Sequence, residues 1–221
     1  MIWNIPKLEE LRKVDFTQLL DKNYQEKLKS EHLFYHTLKR VADILLSFLG
    51  LVVLSPLFLL LWIMVRIDSK GRAIFAHKRV GKNGKLFTIY KFRTMHRGSS
   101  EQEFSPTSPR DERVTKVGKF LRRTSLDELP QLLNILKGDM AIVGPRPEMP
   151  FIVENYTNLH RARLLIKPGL TGLWQLAGRK DLPLHENVEF DLYYILHQSF
   201  RLDLIIFLKT FTVVFSGKGA Y

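Results

Sequence analysis

The chain has 221 residues, 45% hydrophobic and 25% charged, which excludes a disordered polymer and a large multidomain machine and fits one domain with an appendage. Lysine and arginine number 34 against 22 acids, a formal charge of +12, so the expected partner is anionic. With no cysteine, disulfides, a thiolate zinc site and a cysteine nucleophile are excluded, and any metal must sit on oxygen or imidazole.

Residues 1–38 carry six basic and six acidic side chains and no apolar stretch of the signal-peptide kind, so residue 1 is expected to be the mature start. The run LEELRKVDFTQLL predicts a short amphipathic helix within this N-terminal extension. From Ile44 to Val65 there are 22 residues without a charge. As a helix they would extend about 33 Å, enough for a bilayer core. Pro56 lies in the middle, and basic residues flank both ends: Lys39 and Arg40 before, Arg66, Lys70 and Arg72 after. Proline removes a backbone donor, so a bend is expected at Ser55-Pro56, with the serine hydroxyl available to a freed carbonyl. A kinked single span and a re-entrant hairpin both fit; the hairpin returns both basic flanks to one anionic face.

Arg66 to Arg97 holds ten basic residues against Asp68 alone, and Arg110 to Arg123 adds six against Asp111 and Glu112. A basic surface therefore follows the apolar segment, suited to anionic membrane lipids. Nucleic acid is not expected, because no helix-turn-helix, zinc-finger or RNP pattern accompanies the charge. The β-rich runs Ala73–Val80 and Leu86–Met95 flank Gly-Lys-Asn-Gly-Lys, which predicts a hairpin turning at Asn83-Gly84. The Ser- and Pro-rich stretch Gly98–Arg110 predicts a loop long enough for a lid.

Ser125-Leu-Asp-Glu128 matches a capping box, which predicts a helix from about Ser125 to Gly138. Two acids in a first turn need mean no more than dipole compensation. Their company argues for more: Arg122 and Arg123 precede them, and Gly144-Pro-Arg-Pro147 presents one arginine on a stiff backbone suited to phosphate oxygens. A carboxylate kept charged there, beside a second able to hold a hard divalent cation, makes a coherent pair of nucleophile and metal ligand. The seven histidines show no metalloprotease spacing and are expected at the surface or in the core. Phe200–Ser216 is apolar but interrupted by Arg201, Asp203 and Lys209, as suits either an interfacial helix or a terminal core helix.

Lys39-Arg40-x-x-Asp43 leading into Ser55-Pro56, Lys91-Phe-Arg-Thr-Met95, Thr124-Ser-Leu-Asp-Glu-Leu-Pro-Gln131, Lys137-Gly-Asp-Met140 and Gly144-Pro-Arg-Pro147 occur in an order and spacing that resemble the bacterial sugar transferases, the monotopic phosphoglycosyl transferases. Pro168-Gly-Leu-Thr-Gly-Leu-Trp-Gln175 and the terminal Gly219-Ala-Tyr221 are similar to members transferring galactose or glucose 1-phosphate. The resemblance implies transfer of a sugar phosphate from a UDP-sugar to undecaprenyl phosphate, with UMP released, at the cytoplasmic face of the inner membrane. That reaction begins an exopolysaccharide or lipopolysaccharide glycan. By motif, Asp127 is the catalytic nucleophile that forms a phosphosugar intermediate and Glu128 the partner that holds Mg2+. Arg122 and Arg146, with Lys91 and Arg93 as further candidates, are expected to bind substrate phosphate, whereas Lys78, Lys82 and Lys85 are left to lipid. An N-acetylated or diaminosugar donor is the alternative, as is a non-catalytic basic scaffold at the membrane surface; a homodimer is compatible with either. The expected architecture is a mostly helical α+β monotopic membrane protein: an N-terminal extension (1–38), a Pro-broken re-entrant membrane helix (39–67), and a cytoplasmic catalytic domain with interfacial helices and a small β-hairpin (68–221).

Overall fold

In the computed structural model, residues 6–96, 98, 108, 111–177 and 187–216 are described. The segment expected as a lid lies almost wholly outside them, as does the Gly-Ala-Tyr terminus.

The N-terminal extension differs from expectation. In place of one amphipathic helix there is a four-residue helix, α1 (Leu8–Leu11), then a 3-10 turn at Thr17–Leu20, then α2 (Lys22–Glu31). Asp15 causes the break: its Oδ1 accepts the backbone N–H of Thr17 at 2.8 Å and its hydroxyl at 2.7 Å, a local alternative to helix hydrogen bonding. Leu11, Phe16 and Leu19 are buried, the first in the main core, the others beneath α10 (Glu189–Leu196).

Two helices follow, α3 (Leu33–Val53) and α4 (Ser55–Asp68), bent by 63°. In a continuous helix the N–H of residue 56 would bond to the carbonyl of Val52. Pro56 has none, and the Ser55 hydroxyl donates to that carbonyl instead, at 2.8 Å. The expected role of the serine is thus observed. Among the described residues no single helix is long and apolar enough to cross a membrane, whereas the bent pair passes that test together. Much of its outer surface is apolar and exposed, including Phe34, Leu45, Phe48, Val53, Leu59 and Trp62.

The root of α3 is bolted to the rest of the molecule by the Lys39-Arg40-x-x-Asp43 motif. Lys39 Nζ lies 2.6 Å from Asp203 on α11 (Phe200–Ser216). Arg40 donates to the carbonyls of Ile135 and Leu136 at 2.6 and 2.9 Å, at the C-terminal end of α6 (Leu132–Lys137), where a helix dipole favours a cation. Asp43, buried, accepts the backbone N–H of Ile142 at 3.0 Å.

Strands β1 (Ile74–Val80) and β2 (Leu86–Phe92) form the expected antiparallel hairpin. Asn83 and Gly84 have φ of 57° and 76°, the two positive values a primed turn requires. Helix α5 (Lys116–Thr124) is followed by a 3-10 turn over Leu126–Gln131 and then by α6. The capping box at Ser125 does not form. Ser125 instead closes α5 in the left-handed conformation (φ 58°), and its side chain caps nothing. The chain must reverse there to leave α5, and Pro130 denies the next turn an α-helical hydrogen bond, so the helix starts at Leu132 rather than Ser125.

Beyond Gly138, β3 (Ala141–Val143) leads to α7 (Pro150–Glu154), α8 (Asn158–Arg161), β4 (Gly169–Thr171) and α9 (Leu173–Ala177). A second sheet, unanticipated, pairs β3 with β4 in parallel. It depends on glycine: a Cβ on Gly169 would lie 2.1 Å from the backbone N of Gly144, and one on Gly172 would lie 2.3 Å from its carbonyl oxygen. The main core lies between this sheet, α6, α9, α10 and α11, with Ile135, Met140, Leu173, Tyr194 and Ile206 almost wholly buried. Helix α11 packs on the core through Ile206, as expected of a terminal core helix, and leaves Leu204, Leu208 and Phe211 exposed on its other side.

Candidate active site

Three elements converge on Asp127 and Glu128. The first is the 3-10 turn bearing them. It is tied to the hairpin through Asn134, whose amide donates to the Thr88 carbonyl at 2.7 Å and accepts the Tyr90 N–H at 3.1 Å. The second is β2, from which Lys91 Nζ reaches Glu128 Oε1 at 2.7 Å. The third is the Pro-Arg-Pro turn after β3, from which Arg146 Nη2 reaches the same oxygen at 3.1 Å.

That turn is stiff for reasons beyond its two prolines. The Gly144–Gly169 contact fixes its first residue. Arg163 fixes the third: its Nη2 donates to the Arg146 carbonyl at 2.9 Å, its Nε to Asp191 at 2.8 Å, and its Nη1 to the Tyr156 hydroxyl. Arg163 and Asp191 are both buried, so the pair is fully enclosed. The Arg146 guanidinium also lies 5.8 Å from the centre of the buried Trp174 ring, a cation–π contact.

The two carboxylates are driven apart electrostatically. Asp127, only 8% exposed, makes no side-chain hydrogen bond among the described residues. Burial, reinforced by the charge of Glu128, pushes its pKa up to about 6, while Lys91, Arg122 and Arg146 oppose. Burial would raise Glu128 as well, but Lys91 and Arg146 hold it well below the usual carboxylate range. One acid is therefore locked as an anion by two cations, and its neighbour is an unpaired carboxylate of raised basicity. Such a separation is the arrangement by which paired carboxylates take different roles in acid–base and nucleophilic sites.

Among the described residues no group of three or more His, Asp or Glu gathers around one point. An all-protein metal cage is therefore absent there. Asp127, together with Glu128 Oε2, which accepts no hydrogen bond from a described residue, gives a different donor set: hard oxygens from two adjacent carboxylates. That set fits magnesium, which keeps several waters and is bound by one or two carboxylates plus substrate phosphates.

Of the residues singled out in the sequence, Asp127, Glu128, Lys91 and Arg146 come together. Arg122, in the last turn of α5, stands behind Asp127; its Nε donates to Thr94 Oγ1 at 2.9 Å, and its buried Nη1 has no partner. Arg93 is placed elsewhere. Its Nη2 donates to the carbonyl and hydroxyl of Ser69 at 2.6 and 2.8 Å, closing the C-terminal end of α4; Arg93 lies just past the end of β2, and its bonds to Ser69 hold it there while Lys91 reaches Glu128. Ser55 and Pro56 sit at the helix bend. Arg163 and Asn134 carried no sequence signal: Arg161-Ala-Arg163 reads as surface charge, and an asparagine within a helix reads as neutral.

A family model described as bacterial sugar transferase matches residues 34–217. The chain belongs to that family. Among family relatives, the undecaprenyl-phosphate galactose phosphotransferase of Salmonella typhimurium is 44% identical over 199 residues, covering 83% of this chain and 42% of that protein. The exopolysaccharide production protein ExoY of Sinorhizobium fredii is 42% identical over 83% of this chain and 88% of its own length. The UDP-glucose:undecaprenyl-phosphate glucose-1-phosphate transferase of Klebsiella pneumoniae is 41% identical, with 83% of this chain and 41% of the relative covered. The chain thus spans about two fifths of the Salmonella and Klebsiella transferases and most of the Sinorhizobium protein.

Proposed function

We propose that this chain is a phosphoglycosyl transferase that moves galactose 1-phosphate or glucose 1-phosphate from a UDP-sugar to undecaprenyl phosphate. The observation that carries the reading is the asymmetric dyad, an unpaired buried Asp127 beside a Glu128 neutralised by Lys91 and Arg146. In the first step an Asp127 carboxylate oxygen attacks the sugar-bearing phosphorus. The bond to the oxygen bridging to the nucleotide breaks, and UMP leaves with the electron pair. In the second, a phosphate oxygen of the lipid attacks the same phosphorus, the acyl-phosphate bond breaks, and the aspartate carboxylate is restored. Two anionic substrates thereby never need to meet directly.

Asp127 supports this role through its basicity: raised to about 6, it stays ionised at neutral pH yet is a stronger nucleophile than a solvated carboxylate. Arg146 and Arg122 would stabilise charge on the transferring phosphoryl group. Glu128, with Asp127, would hold magnesium, whose chemistry when bound is to neutralise diphosphate oxygens. The exposed apolar faces of α3, α4 and α11 would enter the cytoplasmic leaflet of the inner membrane, α3 and α4 as a re-entrant pair, which sets the site at the depth of a lipid phosphate.

The test is intact-protein mass spectrometry of solubilised protein with magnesium and a panel of UDP-sugars, without acceptor, alongside Asp127→Asn and an assay for UMP. A hexose-phosphate increment on wild type only, discharged by undecaprenyl phosphate, is the expected result, and its mass separates a hexose from an N-acetylated sugar. UMP formed only when acceptor is present would sink the covalent intermediate. No UMP under any condition would sink the transferase reading.

A further inference from the structure

The hairpin brings another cation to the site, one that the dyad does not engage. Antiparallel register pairs Phe75 with Lys91, His77 with Ile89 and Arg79 with Phe87, which puts Arg79 and Lys91 on the same face of the sheet. Arg79 lies four positions along β1 from the partner of Lys91, about 13 Å. At the next residue, Val80 donates its N–H to the Glu148 carbonyl at 3.0 Å, clamping the hairpin to the chain that leaves the Pro-Arg-Pro turn. Arg79 is thereby held within electrostatic reach of Glu148, Arg146 and Glu128.

Its guanidinium is half-buried and, among the described residues, makes neither a hydrogen bond nor an ion pair. Burial lowers its pKa to about 10, opposed by Glu148 and Glu128 and assisted by Arg146. Lys91 and Arg146 each commit a donor to Glu128, whereas no donor of the planar Arg79 fork is engaged by a described residue. A fork of this kind matches the oxygens of a phosphate.

We propose that Arg79 is a further phosphate-binding residue of this site, taking the oxygens of a substrate phosphate that lies past Arg146 from the dyad. Two sources share that chemistry, the non-transferred phosphate of the nucleotide and the phosphate of the lipid acceptor. The proposal rests on the transferase reading only in requiring that phosphate-bearing substrates enter here.

The experiment titrates the full chain in detergent with two unreactive probes, UDP and farnesyl phosphate, comparing wild type with Arg79→Met, Arg79→Lys and, as an exposed control on the same hairpin, Lys85→Met. Arg79→Met is expected to weaken one probe about ten- to a hundredfold, as loss of a charge-assisted hydrogen bond does, with the melting midpoint retained. Arg79→Lys should weaken it less, and Lys85→Met not at all. Loss of UDP affinity assigns the nucleotide phosphate; loss of farnesyl phosphate affinity assigns the acceptor. Should Arg79→Met fail to fold, Arg79→Lys reads the same affinities. Unchanged binding of both probes to a folded Arg79 variant overturns the proposal and leaves the transferase reading intact. Failure of wild type to bind either probe overturns both.

Discussion

Replacing Asp127 by Asn removes a charge that the fold holds at a cost. An aspartate raised from 3.8 to about 6 on folding is harder to ionise in the native protein than in the unfolded chain. Its ionisation therefore takes stability away as pH rises from the lower value to the higher, and the loss is complete at neutral pH. At 1.36 kcal/mol per pKa unit the difference is worth about 3 kcal/mol at about pH 8 and roughly half of that at about pH 5. For a chain of this size 1 kcal/mol moves the melting midpoint by roughly 2–4 °C, so Asp127→Asn should melt roughly 6–12 °C higher than wild type at about pH 8. The assay is thermal unfolding of both proteins in detergent with a chelator present, so that no divalent cation offsets the charge, at the two pH values. A variant that melts lower than wild type at about pH 8, or gains equally at both, would show that Asp127 is not the strained carboxylate described here. The same substitution should abolish UMP release, making this a site where activity and stability oppose one another.

The acidic limb of UMP release should fall near pH 6, where Asp127 takes up its proton, and Lys91→Met, by removing a cation that holds that proton off, should move the limb to higher pH in a pH–rate profile. Arg163→Met leaves Asp191 buried without its partner and should destabilise by about 3–5 kcal/mol in denaturant unfolding. The double variant with Asp191→Leu should recover most of that stability but not the activity, because the Arg146 carbonyl still lacks its donor. Gly169→Ala drives a methyl group into the backbone of Gly144 and should prevent accumulation of folded protein, which size-exclusion chromatography of the solubilised material would detect.

What could be read from the sequence was what local chemistry decides. Ser55-Pro56 specifies both a missing donor and its replacement, and Asn83-Gly84 specifies two positive φ values; both features appear as expected. The acidic pair with its arginines was legible because the residues needed are neighbours or sit on a proline-stiffened turn. Features decided at a distance were not legible. Ser125 satisfies the capping pattern, yet the arrival of α5 and the presence of Pro130 claim it for a reversal. Arg93 and Arg79 look equivalent in a basic run, but the pairing of β1 with β2 and the position of Ser69 send one to cap α4 and the other toward Arg146. The parallel pairing of β3 with β4 joins segments 28 residues apart and leaves only glycines as a trace.

Those glycines set the position of the key arginine in main-chain units. Where Gly144 meets Gly169 and Gly172, peptide groups touch peptide groups with no side chain between, so the spacing between the Pro-Arg-Pro turn and the Trp174 helix is a sum of covalent bonds and contact radii. Rotamer changes in the surrounding core cannot alter such a spacing. The apolar residues around it are therefore free to vary in size at some expense of melting temperature, while the arginine stays in register with the dyad.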